Sequence, residues 1–185
     1  MNKIDATKSF EGYLKSHFIS YFKEETDNNA VRLTMCYKGY DICPGNALES
    51  CIYFYEDCFE AKVYYSALGS SICKNSKFQD ELYRFLNYLN YSIWPRAVSD
   101  LYEPCHLYTP RFIKTEDGNY DITASFVASY DIYNLAQLET EDFITKALPE
   151  LLNKINPALF LVIAGEITVE NAIAVVKKEV LHEKI

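Results

Sequence analysis

The side chains able to do chemistry in this chain are its cysteines, histidines, arginines and tyrosines. Six cysteines (Cys36, Cys43, Cys51, Cys58, Cys73, Cys105) and three histidines (His17, His106, His182) could in principle bind zinc, form disulfides or build a thiolate–imidazole pair. Structural zinc announces itself by closely paired ligands, and the chain has no C-x-x-C and no clustered histidines. Cys105 and His106 are adjacent on a predicted strand, so their side chains point to opposite faces and cannot touch. His17 beside Leu14 and Phe18 reads as a partly buried, hydrogen-bonded side chain. The turn "DGNYD" carries acids but lacks the D-x-D-x-D-G spacing of a calcium loop. The chain also lacks G-x-G-x-x-G, a phosphate loop and H-E-x-x-H. These readings predict free thiols, no metal site, no cofactor and no catalytic residue.

Arginine is scarce, and Arg96 and Arg111 each follow a proline. Such a pair could hold a carboxylate or phosphate bidentately. Ion pairs with Glu103, Asp121 or Asp131 are the more ordinary use. Tyrosine is abundant, with 16 residues against one tryptophan. It concentrates in "CIYFYEDCFEAKVYYS", residues 51–66. With Glu56-Asp57 as the turn of a hairpin, Phe54 faces Phe59 and Tyr55 faces Cys58. Ile52, Phe54, Phe59, Ala61 and Val63 then share the core face. Cys51, Tyr53, Tyr55, Cys58, Glu60, Lys62 and Tyr64 share the other. Cys51 and Cys58 would lie about 13 Å apart along the ladder, beyond the ~7 Å a disulfide spans. Tyr53, Tyr55 and Tyr64 are the candidate partner-binding residues, because Tyr offers contact area with few rotors and a polar tip. Cover by the C-terminal helices, a partner surface and a small-ligand site are the three uses open to that face.

The elements that must position these residues follow from periodicity. A helix is predicted over about Thr7 to Glu25, with Phe10, Leu14, Phe18, Tyr21 and Phe22 as its stripe. "VRLTMCYK" alternates as a half-buried strand, and "DICPGNALES" reads as a loop. "SKFQ" forms a capping box at Ser76 for a second helix that ends at Pro95, burying Phe78, Leu82, Phe85, Leu86, Leu89 and Ile93. Strands at about 106–114 and 120–130 flank the Asp117-Gly118 turn, and Pro110 assigns the first to a sheet edge. From Thr140 the chain reads as helical, with Thr140, Asn156-Pro157 and Thr168 as starts and Gly165 as a stop. The predicted order is α-β-β-β-α-β-β followed by helices: an α+β fold with a single antiparallel sheet of about five strands. One domain is expected over 1–185, with a core at 7–138 and a C-terminal helical extension at 139–185.

Apolar residues make up 49% of the 185, which places the chain among globular rather than disordered proteins. The net charge of −8 disfavours nucleic acid and anionic lipid and favours neutral or basic partners. No apolar run follows the N-terminal lysines, and Ala158–Ala164 is too short to span a membrane, so the expected compartment is cytoplasmic.

The capped helix "LYRFLNYLNYSIWPRA", with Asn87 and Asn90 at L-N-x-x-N spacing, is followed closely by "LYTPRFIKTEDGNYDITASF". Together with the element order, these segments resemble the type III secretion chaperone-like fold, in particular the YbjN-like family, over roughly residues 7–150. The resemblance implies a non-catalytic, usually dimeric protein that binds another polypeptide, chaperone-like or regulatory. The alternative is an enzyme or small-ligand protein with a pocket between the sheet and the C-terminal helices and Arg111 as its anion anchor.

Overall fold

A computed structural model describes residues 1–93, 109–115 and 122–183. Six antiparallel strands form a single sheet in the order β1-β2-β3-β4-β6-β5, with helices packed on one side and at one edge. The fold class is α+β, with one strand more than the sequence suggested.

The extra strand comes from the end of the expected first helix. Helix α1 is Lys3–Ser16, capped by the Asn2 side chain, which accepts from the Asp5 amide at 2.9 Å. Phe18 turns into the left-handed region at φ 56°. The Ile19 amide then donates to the Leu14 carbonyl at 2.9 Å, closing the helix. Strand β1, Tyr21–Glu25, pairs with β2, Val31–Lys38, from Tyr21 opposite Met35 to Glu25 opposite Val31. The spacing of Phe18, Tyr21 and Phe22 fits a helix, yet Phe18 is 95% and Phe22 65% exposed. Strand pairing satisfies the backbone there, and "EETDNNA" is its hairpin turn, with the Thr26 amide donating to the Ala30 carbonyl at 2.8 Å.

Strand β3, Ala47–Phe54, begins inside the predicted loop, after a single 3-10 turn at Pro44–Asn46. It pairs with β4, Cys58–Tyr65, with Phe54 opposite Phe59, and the Tyr55 amide donates to the Cys58 carbonyl at 2.9 Å. The hairpin register is therefore the expected one. Ile52, Phe54, Phe59, Ala61 and Val63 are all at most 1% exposed.

Helix α2, Ala67–Asn75, was not legible in a segment holding one glycine and two serines. Gly69 is needed there, since a Cβ would fall 2.6 Å from that of Tyr65. Helix α3, Gln79–Ser92, buries Leu82, Phe85, Leu86 and Leu89, and Ile93 just beyond it is buried too, while Phe78 stays 37% exposed. The capping box is incomplete. Ser76 accepts from the Phe78 amide at 3.0 Å, but the Gln79 amide donates to the carbonyls of Cys73 and Ser76 rather than receiving a backbone N–H.

Strand β5, Arg111–Lys114, is the edge strand that Pro110 called for, and it pairs with β6, Ile122–Ser129. The Asp117-Gly118 turn lies outside the described residues. Helices α4, Tyr130–Leu135, and α5, Gln137–Asp142, follow, then one π-turn at Phe143–Ala147 and helix α6, Leu148–Ala164. Thr140 is not a cap: it sits inside α5, and its hydroxyl donates to the Ala136 carbonyl at 2.7 Å. Asn156-Pro157 does not start a helix either, because α6 runs through it. Asn156 is spent on tertiary structure, donating to the Ile42 carbonyl at 2.7 Å. Gly165 ends α6 at φ 73°, and Thr168 caps helix α7, Val169–Glu179, as read from sequence.

The run Gln137–Ala164 is long enough to span a membrane, and an 18-residue window within it has a mean hydropathy of 1.3, with 61% of that window buried inside the protein. Its rings lock onto the sheet: Phe126 meets Phe143 at 5.3 Å and Tyr65 meets Phe160 at 5.0 Å. Side chains from either side of residue 138 belong to one hydrophobic core.

Candidate functional site

Strand registers place the outer-face residues in rows across the sheet. One row runs Glu24–Arg32–Tyr53–Glu60–Val127, and the next runs Phe22–Thr34–Cys51–Lys62–Ser125–Arg111. Tyr55 extends the first row's aromatic surface, and its ring stacks on Tyr53 at 6.0 Å and 12°. Tyr53, Tyr55 and Tyr64 all lie on this face and are half-buried. Helices α1 and α6 meet the sheet on its opposite face, through Phe10 on Phe54 and Phe160 on Tyr65.

Tyr53 is held between two cations. Arg32 donates from Nη1 to the Tyr53 hydroxyl at 3.2 Å, and its guanidinium carbon lies 5.8 Å from the ring centroid. Lys62 Nζ lies 5.6 Å from the same centroid. Each cation has an acid beside it. Arg32 pairs with Glu24, and Lys62 with Glu60 at 3.3 Å. Glu60 also accepts from the Ser125 hydroxyl at 3.2 Å and, at 3.5 Å, from Tyr55. Burial works against the charge on Lys62, but Glu60 outweighs it and holds the ammonium above its usual range. Burial and then Glu60 push the Tyr55 phenol up. Burial drives the Cys51 thiol up to about 11. Near neutral pH this thiol is protonated and a poor nucleophile. What the face can offer is a braced aromatic surface with polar tips, flanked by cations that are each paired with a carboxylate.

The other predicted site residues separate. Arg111 is exposed on β5 and flanks Ser125 on the side away from Lys62. It forms no ion pair among the described residues. Arg96 lies outside the described residues, so the expected Arg96–Arg111 pair does too. His17 is exposed rather than partly buried, with its ring stacked on Tyr13 at 4.1 Å and Nδ1 3.0 Å from the Tyr13 carbonyl. The described cysteines Cys36, Cys43, Cys51, Cys58 and Cys73 are free thiols, and no metal-binding group of three His, Cys, Asp or Glu occurs among the described residues.

Sequence reasoning missed a polar cluster where α1 meets α5 and the π-turn. The Tyr13 hydroxyl donates to Asp142 at 2.5 Å and lies 2.9 Å from the Thr145 hydroxyl. The Tyr133 hydroxyl donates to Glu141 at 2.5 Å. Burial raises both phenols far above their usual range. The members are separated by up to 132 positions, so no local pattern marks them. They tie α1 down to the C-terminal helices.

Clefts also open elsewhere among the described residues. One of about 380 Å³ lies between α3 and the start of α7, lined by Phe78, Arg84, Gly165 and Glu170 among others, and Arg84 there is already paired with Glu170 at 2.8 Å. Another, about 280 Å³, lies beside β1 and is lined by Tyr21, Phe22, Cys36 and Glu49. Where a pocket between the sheet and the C-terminal helices was the alternative expectation, Leu148, Leu152, Ile155 and Leu159 of α6 belong to the hydrophobic core, each 0% exposed. No family model, curated protein or solved structure matches the chain.

Proposed function

We propose that this chain is a non-catalytic protein-binding module, chaperone-like or regulatory in the manner of the YbjN-like and secretion chaperone-like proteins. It acts in the cytoplasm as a homodimer and binds a polypeptide. One observation carries the reading: the stacked Tyr53 and Tyr55 rings, braced by Arg32 and Lys62, lie on the sheet face opposite α1 and α6. Preformed aromatic area of this kind suits polypeptide contact, because little side-chain entropy remains to be lost on binding. The partner is neutral or basic, in keeping with a net charge of −8. The burial of α6 side chains in the hydrophobic core favours this reading over a ligand pocket.

The test compares wild type with the Tyr53→Ser/Tyr55→Ser variant by gel filtration with light scattering and by capture of polypeptides from lysate. The wild type is expected to exceed monomer mass and to retain a specific polypeptide. The variant is expected to lose that polypeptide while keeping its melting temperature within a few degrees. A strictly monomeric wild type that captures nothing sinks the reading.

A further inference from the structure

The two edges of the sheet are finished differently. At β5 the edge is closed at Phe112: the Phe112 amide donates to Asn90 Oδ1 at 2.7 Å, and Asn90 Nδ2 donates back to the Phe112 carbonyl at 2.8 Å. Pro110, with no N–H to offer, stands just ahead of it. At β1 no described strand or side chain does the equivalent. The Thr26 amide bonds to the Ala30 carbonyl. By the alternation of an antiparallel ladder, Glu24 and Phe22 are then also paired inward to β2, and Tyr21, Lys23 and Glu25 direct their N–H and C=O groups outward. Phe22 is 65% exposed on the outer face of this open edge, and Phe18 just before it is 95% exposed. An open edge of this kind is a template for another strand.

We infer that the occupant is a second copy of this chain, with β1 pairing antiparallel to β1 about a two-fold axis through Phe22. The inference rests on the self-associating, polypeptide-binding reading above and names the surface for self-association. A two-fold axis normal to the sheet is required for antiparallel continuation, so opposed residues share a face and the axis passes through one residue. The side chains select which one. An axis through Lys23 sets Lys23 against its own copy, and one through Glu24 sets two carboxylates together, both unfavourable pairings. An axis through Tyr21 opposes Lys23 to Ile19, whose amide is already spent on Leu14. The axis through Phe22 avoids both like-charge pairings and moves the mismatch with Ile19 out to Glu25, at the end of the strand. Each Tyr21 then faces the other copy's Lys23 with both backbone groups exchanged, and the exposed Phe22 rings meet. Glu11 accepts from Tyr21 and from Lys23, each at 2.9 Å. The pairing thus brings two acids and two lysines together in alternation on that side. The result is one continuous sheet with the Tyr53–Tyr55 surfaces of both copies on the same face.

Lys23→Pro removes an outward N–H that the monomer fold does not use, while Lys23→Ala keeps it. Light scattering should show a dimer for wild type and Lys23→Ala, and dimer dissociation at least about tenfold weaker in affinity for Lys23→Pro. Because Lys23→Pro could also disturb folding, a second measurement runs in a Cys36→Ser background. Phe22→Cys should form a disulfide-linked dimer, since residues opposed in a non-hydrogen-bonded pair lie about 4.5 Å apart at Cα. Glu24→Cys, opposite Ser20 of the copy, should not. A monomeric wild type, a Lys23→Pro dimer of unchanged strength, or cross-linking through Glu24→Cys instead of Phe22→Cys each overturns the inference. If the dimer survives these edge variants but dissociates in Tyr53→Ser/Tyr55→Ser, the edge assignment falls and the binding-module reading stands.

Discussion

Tyr133 donates to Glu141 and Tyr13 donates to Asp142, so two adjacent carboxylates receive the same kind of hydrogen bond. Their titrations nevertheless move in opposite directions. Glu141 is 5% exposed, and burial raises its pKa despite the bonds from Tyr133 and Ser9. Burial also opposes ionisation of Asp142, but Lys146 at 2.7 Å and Tyr13 outweigh it and lower its pKa. For Glu141 the folded state holds its proton to higher pH than the unfolded chain does. Stability therefore falls as pH rises from the unfolded value through the raised folded one. For Asp142 the contribution is present above the unfolded pKa and is lost as pH falls through the lowered folded one. Glu141→Gln keeps an acceptor for Tyr133, and should raise stability at neutral pH by about 1 kcal/mol and flatten the decline above pH ~4.5. Asp142→Asn keeps an acceptor for Tyr13 and loses mainly the half-exposed Lys146 pair, so it should cost about 0.5–1 kcal/mol at neutral pH and should remove the acid-side loss. Urea unfolding across pH measures both, and equal slopes in the two variants would contradict the assignment.

Edges govern at the scale of elements. Asn90 acts as a one-residue strand, matching both backbone groups of Phe112, which itself is 1% exposed. Asn90→Ala leaves a donor and an acceptor without their partner, and should cost about 2–3 kcal/mol. Asn90→Asp restores only the acceptor and should recover part of that. Hydrogen exchange at the Phe112 amide distinguishes them: fast in Asn90→Ala, slower in Asn90→Asp. The helix ends tell the same story of local chemistry set in tertiary context. Gly165 takes φ 73° at the end of α6, and a Cβ there would sit 2.2 Å from the Phe78 ring. Gly165→Ala therefore combines backbone strain with a clash, and its midpoint in denaturant should drop by an amount equivalent to about 2 kcal/mol or more.

Across the whole molecule, the C-terminal helices complete the core. Ile144, Leu148, Leu152, Ile155 and Leu159 are each 0% exposed. Burying one such side chain contributes about 1.5–3 kcal/mol, so together they rival the 5–15 kcal/mol that separates a typical domain, to order of magnitude, from unfolding. A chain ending at Leu138 should show no cooperative thermal transition by circular dichroism. A sharp melt from that fragment would mean that the sheet with α1 to α4 is self-sufficient.

The residues by themselves determined whatever depends on near neighbours. Alternation split "CIYFYEDCFEAKVYYS" into two faces, because a strand's side chains have a period of two, and a two-residue turn at Glu56-Asp57 gives the register observed, where a turn of odd length would have swapped the faces. Pro110 marked an edge, and Gly165 and Thr168 marked a helix stop and start, since each acts through its own backbone. Tertiary structure decided what depends on distant partners. Tyr21 and Phe22 fit a helical stripe as well as a strand, and the hydrogen bonds of β2 chose between them. Asn156-Pro157 has the form of a helix start, but the Ile42 carbonyl claims the Asn side chain and packing carries α6 past the proline. The clasp of Tyr13 on Asp142, and the bracing of Tyr53 by Arg32 and Lys62, join residues on different elements, where only the folded chain supplies the distance over which their charges and rings interact.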